Sequence, residues 1–107
     1  MKKLDFVVIA DHPPNLCPSS NAMVRKQMTE GFPQMPVLAK KLGAEMFFVG
    51  IPMVDHKIFM ILKAPSYEIA RQFLVESRIV QTNTIHIYPT ISFEESMKMV
   101  EKIPPPF

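Results

Sequence analysis

Dense apolar runs in this chain are separated by polar, proline-punctuated stretches, and the runs carry two different periods. Residues 4–10, LDFVVIA, are almost continuously apolar and rich in β-branched side chains. That pattern predicts a central strand buried on both faces. EMFFVGI at 45–51 and KIFMILK at 57–63 predict two more strands, joined through a short PMVDH hairpin connection. TIHIYPT at 84–90 predicts a fourth. Pro89 cannot donate to a ladder, so this strand belongs at a sheet edge or ends there.

Helical patterns fill the gaps. Ser19 or Ser20 can cap a helix, NAMVRKQMTE, that stops at Gly31. Pro33 and Pro36 forbid its smooth continuation, while Pro36 suits the first turn of a second piece, PVLAKKL, closed by Gly43. A kinked or split first helix is expected. Ser66 caps a helix over 67–77, with Ile69, Ala70, Phe73 and Leu74 on one face. Ser92 and Glu95 form a capping box for a last helix, whose apolar face is Phe93, Met97 and Val100. The ending IPPPF cannot be helical and predicts an extended arm. One domain over 1–103 followed by a short tail at 104–107 is expected.

The element order is β-α-β-β-α-β, then α. It predicts an α+β fold of the ferredoxin-like, split βαβ kind: a four-stranded antiparallel sheet, order 4-1-3-2, with two helices on one face. Two helices cover only that face, and FFVGI and IFMIL offer water no polar alternative. A second copy packed sheet against sheet would bury the other face. The competing arrangement is a monomer whose last helix and tail fold over it. By element order and hydrophobicity across residues 4–102, the chain resembles the dimeric α+β barrel superfamily. That superfamily includes antibiotic-biosynthesis-type monooxygenases, muconolactone isomerase and the haem-binding chlorite dismutases. The resemblance implies a homodimer through the open sheet face and a barrel interior where small ligands bind.

Composition narrows the partners. The 107 residues carry a formal charge of +2, with Lys and Arg scattered along the chain. No basic stripe or aromatic platform is present, so nucleic acid is not expected. No apolar run approaches a membrane span. MKKLDFVVIADH begins like a signal peptide, but Asp5 and Asp11 bracket too short a core and no small-residue cleavage site follows. The expectation is a strand of a cytoplasmic protein. One cysteine cannot form an internal disulfide, which suits a reducing compartment.

The chemistry-bearing residues are few. His12, His56 and His86 are all the histidines, and Cys17 is the one cysteine. With the predicted strand order, His12 follows the end of strand one, His56 precedes strand three and His86 lies early in strand four. All three come to one rim of the sheet, where the loop carrying Cys17 also begins. Three imidazoles and a thiol suit a transition metal, zinc first, with copper or iron as further candidates. The linear spacing matches no standard zinc motif. Singly, each histidine has a plainer role: His12 bonding loop carbonyls, His56 in a solvated turn, His86 satisfied between Ile85 and Ile87. Asp11 and Asp55 could orient imidazoles or simply mark turns. Cys17 precedes a helix start, which favours a thiolate, and its flanking prolines stiffen the loop. The nine methionines follow no repeat and read as core filler.

Three functions compete. The first is a small metal-binding protein, catalytic on a small molecule if one coordination position stays open. The second is a cofactor-free or haem-dependent barrel enzyme, in which a histidine serves as general base toward a small apolar substrate. The third is a non-catalytic assembly module. The chain has no paired catalytic carboxylates, nucleophile elbow, phosphate loop or dinucleotide fingerprint.

Overall fold

A computed structural model describes residues 3–107. Four strands, β1 (Leu4–Asp11), β2 (Glu45–Gly50), β3 (Lys57–Ala64) and β4 (Thr84–Thr90), form one sheet. Its order is β2-β3-β1-β4, and every neighbouring pair is antiparallel. Four α-helices accompany it: α1 (Ala22–Gly31), α2 (Met35–Lys41), α3 (Tyr67–Glu76) and α4 (Phe93–Val100). The arrangement is α+β, with an open antiparallel sheet in the ferredoxin-like order. β4 is an edge strand, as Pro89 requires.

Local sequence explains the breaks. α1 and α2 are separated by a 3-10 turn at Phe32–Gln34, where Pro33 removes an N–H from the helical ladder. Gly43 follows α2 with a φ of 83°, a conformation that a Cβ would penalise. Ser66 and Ser92 accept the third-residue N–H of α3 and α4. The cap of α1 differs from expectation: it is Asn21, whose Oδ1 accepts from Val24 N–H at 3.0 Å, not Ser19 or Ser20. Those two serines are occupied within the loop. Ser20 Oγ donates to the Pro14 carbonyl, and Ser19 Oγ lies 2.9 Å from Cys17 Sγ.

Burial also corrects the reading of the strands. Within the single chain, β1 alternates where burial on both faces was expected, and β3 alternates likewise. Phe6, Val8 and Ala10, with Ile58, Met60, Leu62 and Ala64, face the helices and join Met35, Ala39, Ala70, Phe73 and Leu74 in the core. The opposite parity forms the open face. Register aligns Val7 with Ile61 and Tyr88, and Ile9 with Phe59 and His86. This face is not wholly apolar. Asp5 pairs with Lys63 at 3.4 Å and Asp11 pairs with Lys57, so charges rim an apolar band. Continuous hydrophobicity misled because valine, isoleucine and phenylalanine tolerate half-burial on a pleated surface. β2 is irregular: its register shifts between Met46 and Phe48, and Lys63 Nζ sits 4.8 Å from the Phe47 ring centroid. Among the described residues, no helix is long and apolar enough to cross a membrane.

Candidate metal centre

The rim of the sheet is built by one extra rung. Beyond the last ladder pair, Asp11 and Lys57, His12 N–H donates to the His56 carbonyl at 3.1 Å. That bond sets the two histidines side by side, with ring centroids 5.7 Å apart and planes at 66°. His56 is fixed from below, where its N–H donates to Asp55 Oδ1 at 2.7 Å. Asp55 thus shapes the turn; its carboxylate holds backbone, not imidazole.

Cys17 arrives on the loop between β1 and α1. A 3-10 turn at Pro14–Leu16 ends on it, and its carbonyl accepts from both Ser20 N–H and Asn21 N–H, at 3.0 and 2.8 Å. Arg25 reaches back from α1 and donates to the carbonyls of Pro18 and Ser19, at 2.7 and 3.0 Å. Asn21 Nδ2 donates to the Asn15 carbonyl at 3.0 Å. Side chains of α1 and its cap therefore hold this proline-rich loop in one shape. Such pre-organisation places a ligand before anything binds.

The result is a cluster of His12, Cys17 and His56, whose candidate ligand atoms all lie within 4.8 Å of one another. Tetrahedral zinc, with bonds of about 2.0–2.3 Å, needs donors roughly 3.3–3.8 Å apart. Closing that gap takes about an ångström of side-chain movement. The three residues are half-buried.

Two details make the donors suitable. The first concerns tautomers. His12 Nδ1 lies 2.9 Å from Asn83 Oδ1, while Asn83 Nδ2 donates to the Ile79 carbonyl and Thr82 Oγ1, both at 3.1 Å. With its amide nitrogen so engaged, Asn83 presents oxygen to the ring. His12 Nδ1 must then carry the proton, and Nε2 keeps its lone pair. That Nε2 is buried and has no hydrogen-bond partner. A buried imidazole nitrogen without a partner is costly, and a metal ion would satisfy it. A histidine that donates its other N–H to an oxygen is the common arrangement at metal centres.

The second detail is the thiol. The Cys17 pKa is drawn down from 9.0 to about 6. The Ser19 hydroxyl is the main cause, followed by the Ser19 backbone N–H and then the His56 ring. Near neutral pH the sulfur is thus a thiolate, the form that binds metal. The two largest contributions thus come from Ser19, within the loop itself.

His86 lies apart from this cluster. It is on the open face, and its Nε2 is 3.1 Å from Asp11 Oδ2. Lys57 engages the other oxygen of Asp11 and lies 3.9 Å from Asp55. The Lys57 contact, above all, holds the Asp11 carboxyl below its ordinary pKa. Of the four expected ligands, the structure gathers three and directs the fourth, His86, into a pairing with the Asp11 carboxylate. Asp11 serves that pair and not the His12 ring. Asn83 was missed by the sequence reading; its position opposite His12 in the extended β1–β4 register was the available signal.

No family model and no curated protein matches this sequence. The chemistry of the site therefore rests on its geometry.

Proposed function

We propose that this protein binds one transition-metal ion through His12 Nε2, Cys17 Sγ and His56. The observation that carries the reading is the buried, partnerless Nε2 of His12, in a residue clustered with His56 and with a Cys17 thiol whose pKa is drawn down. Two imidazoles and one thiolate suit zinc first, then copper or iron. Three protein ligands leave a fourth position for water or a small ligand, the pattern of catalytic rather than structural zinc. A bound ion there would acidify its water or polarise an oxygen. This chain supplies the fixed tautomer, the pre-ionised sulfur and the stiff loop.

The test uses untagged protein stripped of metal and titrated with cobalt(II). A thiolate-to-cobalt charge-transfer band at one equivalent, lost in Cys17→Ser, is expected. Absence of saturable binding would defeat the proposal.

We also infer that the open sheet face is covered by a second copy. The radius of gyration is 16.3 Å, with extents of 54 × 34 × 18 Å. A compact chain of this length has a radius of roughly 13 Å. The last helix contributes: no residue of α4 is buried, and Phe93, Met97 and Val100 remain exposed. The chain thus carries both an uncovered apolar band and an amphipathic arm, and twofold exchange of arms would cover both. Light scattering should give twice the chain mass, and Met97→Glu should return the mass to one chain. A wild-type protein that stays monomeric at tens of micromolar would refute this assembly.

A further inference from the structure

A second feature lies on the helix side of the sheet, away from the thiolate. A cavity of about 320 Å³ opens where α1 ends, between the 3-10 turn that follows it and the segment joining α3 to β4. Gly31 borders it, and a Cβ added there would meet nothing within 4 Å. The space exists because the helix path turns at Phe32–Pro33 while α3 has already ended at Glu76. Its apolar wall comes from Met28, Phe32, Met35, Ile58 and Ile79. Met35, Ile58 and Ile79 are buried core residues, so this wall is rigid.

Two exposed charges stand on its border, Arg78 and Glu30. Among the described residues neither side chain makes an ion pair or hydrogen bond, with each other or with a third group. Arg78 is also the one non-glycine residue, among those described, with a positive φ, at 65°. It is the residue after the Ser77 cap of α3, where a left-handed conformation ends the helix and turns the chain along the cavity border. An apolar cavity with a few oriented polar groups is the usual form of a small-molecule site. Here the charged ones are one cation, Arg78, and one anion, Glu30, beside the neutral Gln27, Ser77, Gln81, Thr82 and Asn83.

We propose that this cavity binds an apolar α-amino acid. The ligand carboxylate meets the Arg78 guanidinium, its ammonium meets the Glu30 carboxylate, and its side chain lies against the apolar wall. A purely anionic ligand would leave Glu30 repelling it, and a purely cationic one would do the same with Arg78. A zwitterion satisfies both. The volume holds a molecule the size of phenylalanine, leucine or methionine. Asn83 lines the same cavity and accepts the His12 Nδ1 proton. Occupancy should therefore be felt at the His12 ring, although binding itself needs no metal.

The test is an NMR titration of metal-free protein labelled at methionine and isoleucine methyl groups, with L-phenylalanine, L-leucine and L-methionine as probes. Saturable shifts at Met28, Met35, Ile58 and Ile79 are expected with at least one of them. Arg78→Gln and Glu30→Gln should each weaken binding roughly tenfold or more, the loss that follows removal of a charged hydrogen-bond partner. Both residues are exposed, so both variants should fold, and their thermal melts verify it. The methyl ester of the bound amino acid and its analogue lacking the amine should be weaker by a similar factor. No saturable shift with any probe up to about 10 mM, or unchanged affinity in both variants, would overturn the proposal. Because the protein is metal-free, this outcome is independent of whether the cluster holds an ion.

Discussion

His12 and His86 lie on adjacent strands near the same end of the sheet, yet they meet opposite environments. His12 follows Phe6, Val8 and Ala10 in strand parity, and these face the helices. His56 shares parity with Ile58, Met60 and Leu62 and falls on the same side. The chain leaving β1 runs toward α1 on that side, which delivers Cys17 to both rings. His86 has the parity opposite to Ile85 and Ile87, which pack on the core. It therefore emerges on the open face and pairs with Asp11. One step in a strand separates a candidate ligand from a partner of the Asp11 carboxylate. Bringing residues to a rim is a matter of topology, but which side of the rim they occupy is decided by parity.

Substitution should expose this difference most sharply in metal affinity. His56→Ala is expected to weaken zinc binding by about 100-fold or more, whereas His86→Ala should change it less than about threefold. Competition against a chromophoric chelator measures both. Equal losses in the two variants would break the contrast and place His86 in the coordination sphere.

A smaller effect is expected one bond further out. Asn83→Leu removes the acceptor that fixes the His12 tautomer, and affinity should fall about 10-fold. Asn83→Asp keeps an acceptor and should retain most of the affinity. Nitrogen-15 spectra of the imidazoles provide a readout that mere loss of packing would not mimic: His12 in the wild type should show its proton on Nδ1, and in Asn83→Leu a mixture. His86 should be indifferent to either change.

The smallest expected difference concerns pH. In metal-free protein, the rate at which Cys17 reacts with iodoacetamide should follow a single titration with a midpoint near pH 6. A lowered thiol pKa means that the reactive thiolate persists above the midpoint and is lost as the pH falls through it. Ser19→Ala should raise the midpoint, since the Ser19 hydroxyl is the largest influence on the sulfur. His86→Ala should leave it in place. A midpoint near the ordinary thiol value in the wild type would remove the pre-ionised sulfur from the account.

Much of the architecture could be read from local signals. Ser66 and Ser92 announced two helix starts, Pro33 the split between α1 and α2, and Pro89 an edge strand, because caps and proline act within a few bonds. The cap of α1 was misread since three consecutive polar residues, Ser19, Ser20 and Asn21, are all competent. Only the contacts of the folded loop assign the two serines elsewhere. Within the single chain, the period-two burial of β1 and β3 was hidden beneath side chains that are apolar on both faces.

From the sequence alone came the identity of the elements and the convergence of His12, Cys17 and His56 at one end of a sheet. Element order restricts the wiring, and wiring sets which strand ends are neighbours. Strand parity set His86 opposite Ile85 and Ile87, but tertiary structure alone decided that this face is the open one, that Ser19 lowers the thiol pKa, and that Asn83 sets the His12 proton. Those outcomes depend on distances of a few ångströms between segments remote in the chain. Local propensity acts over too short a range to specify them.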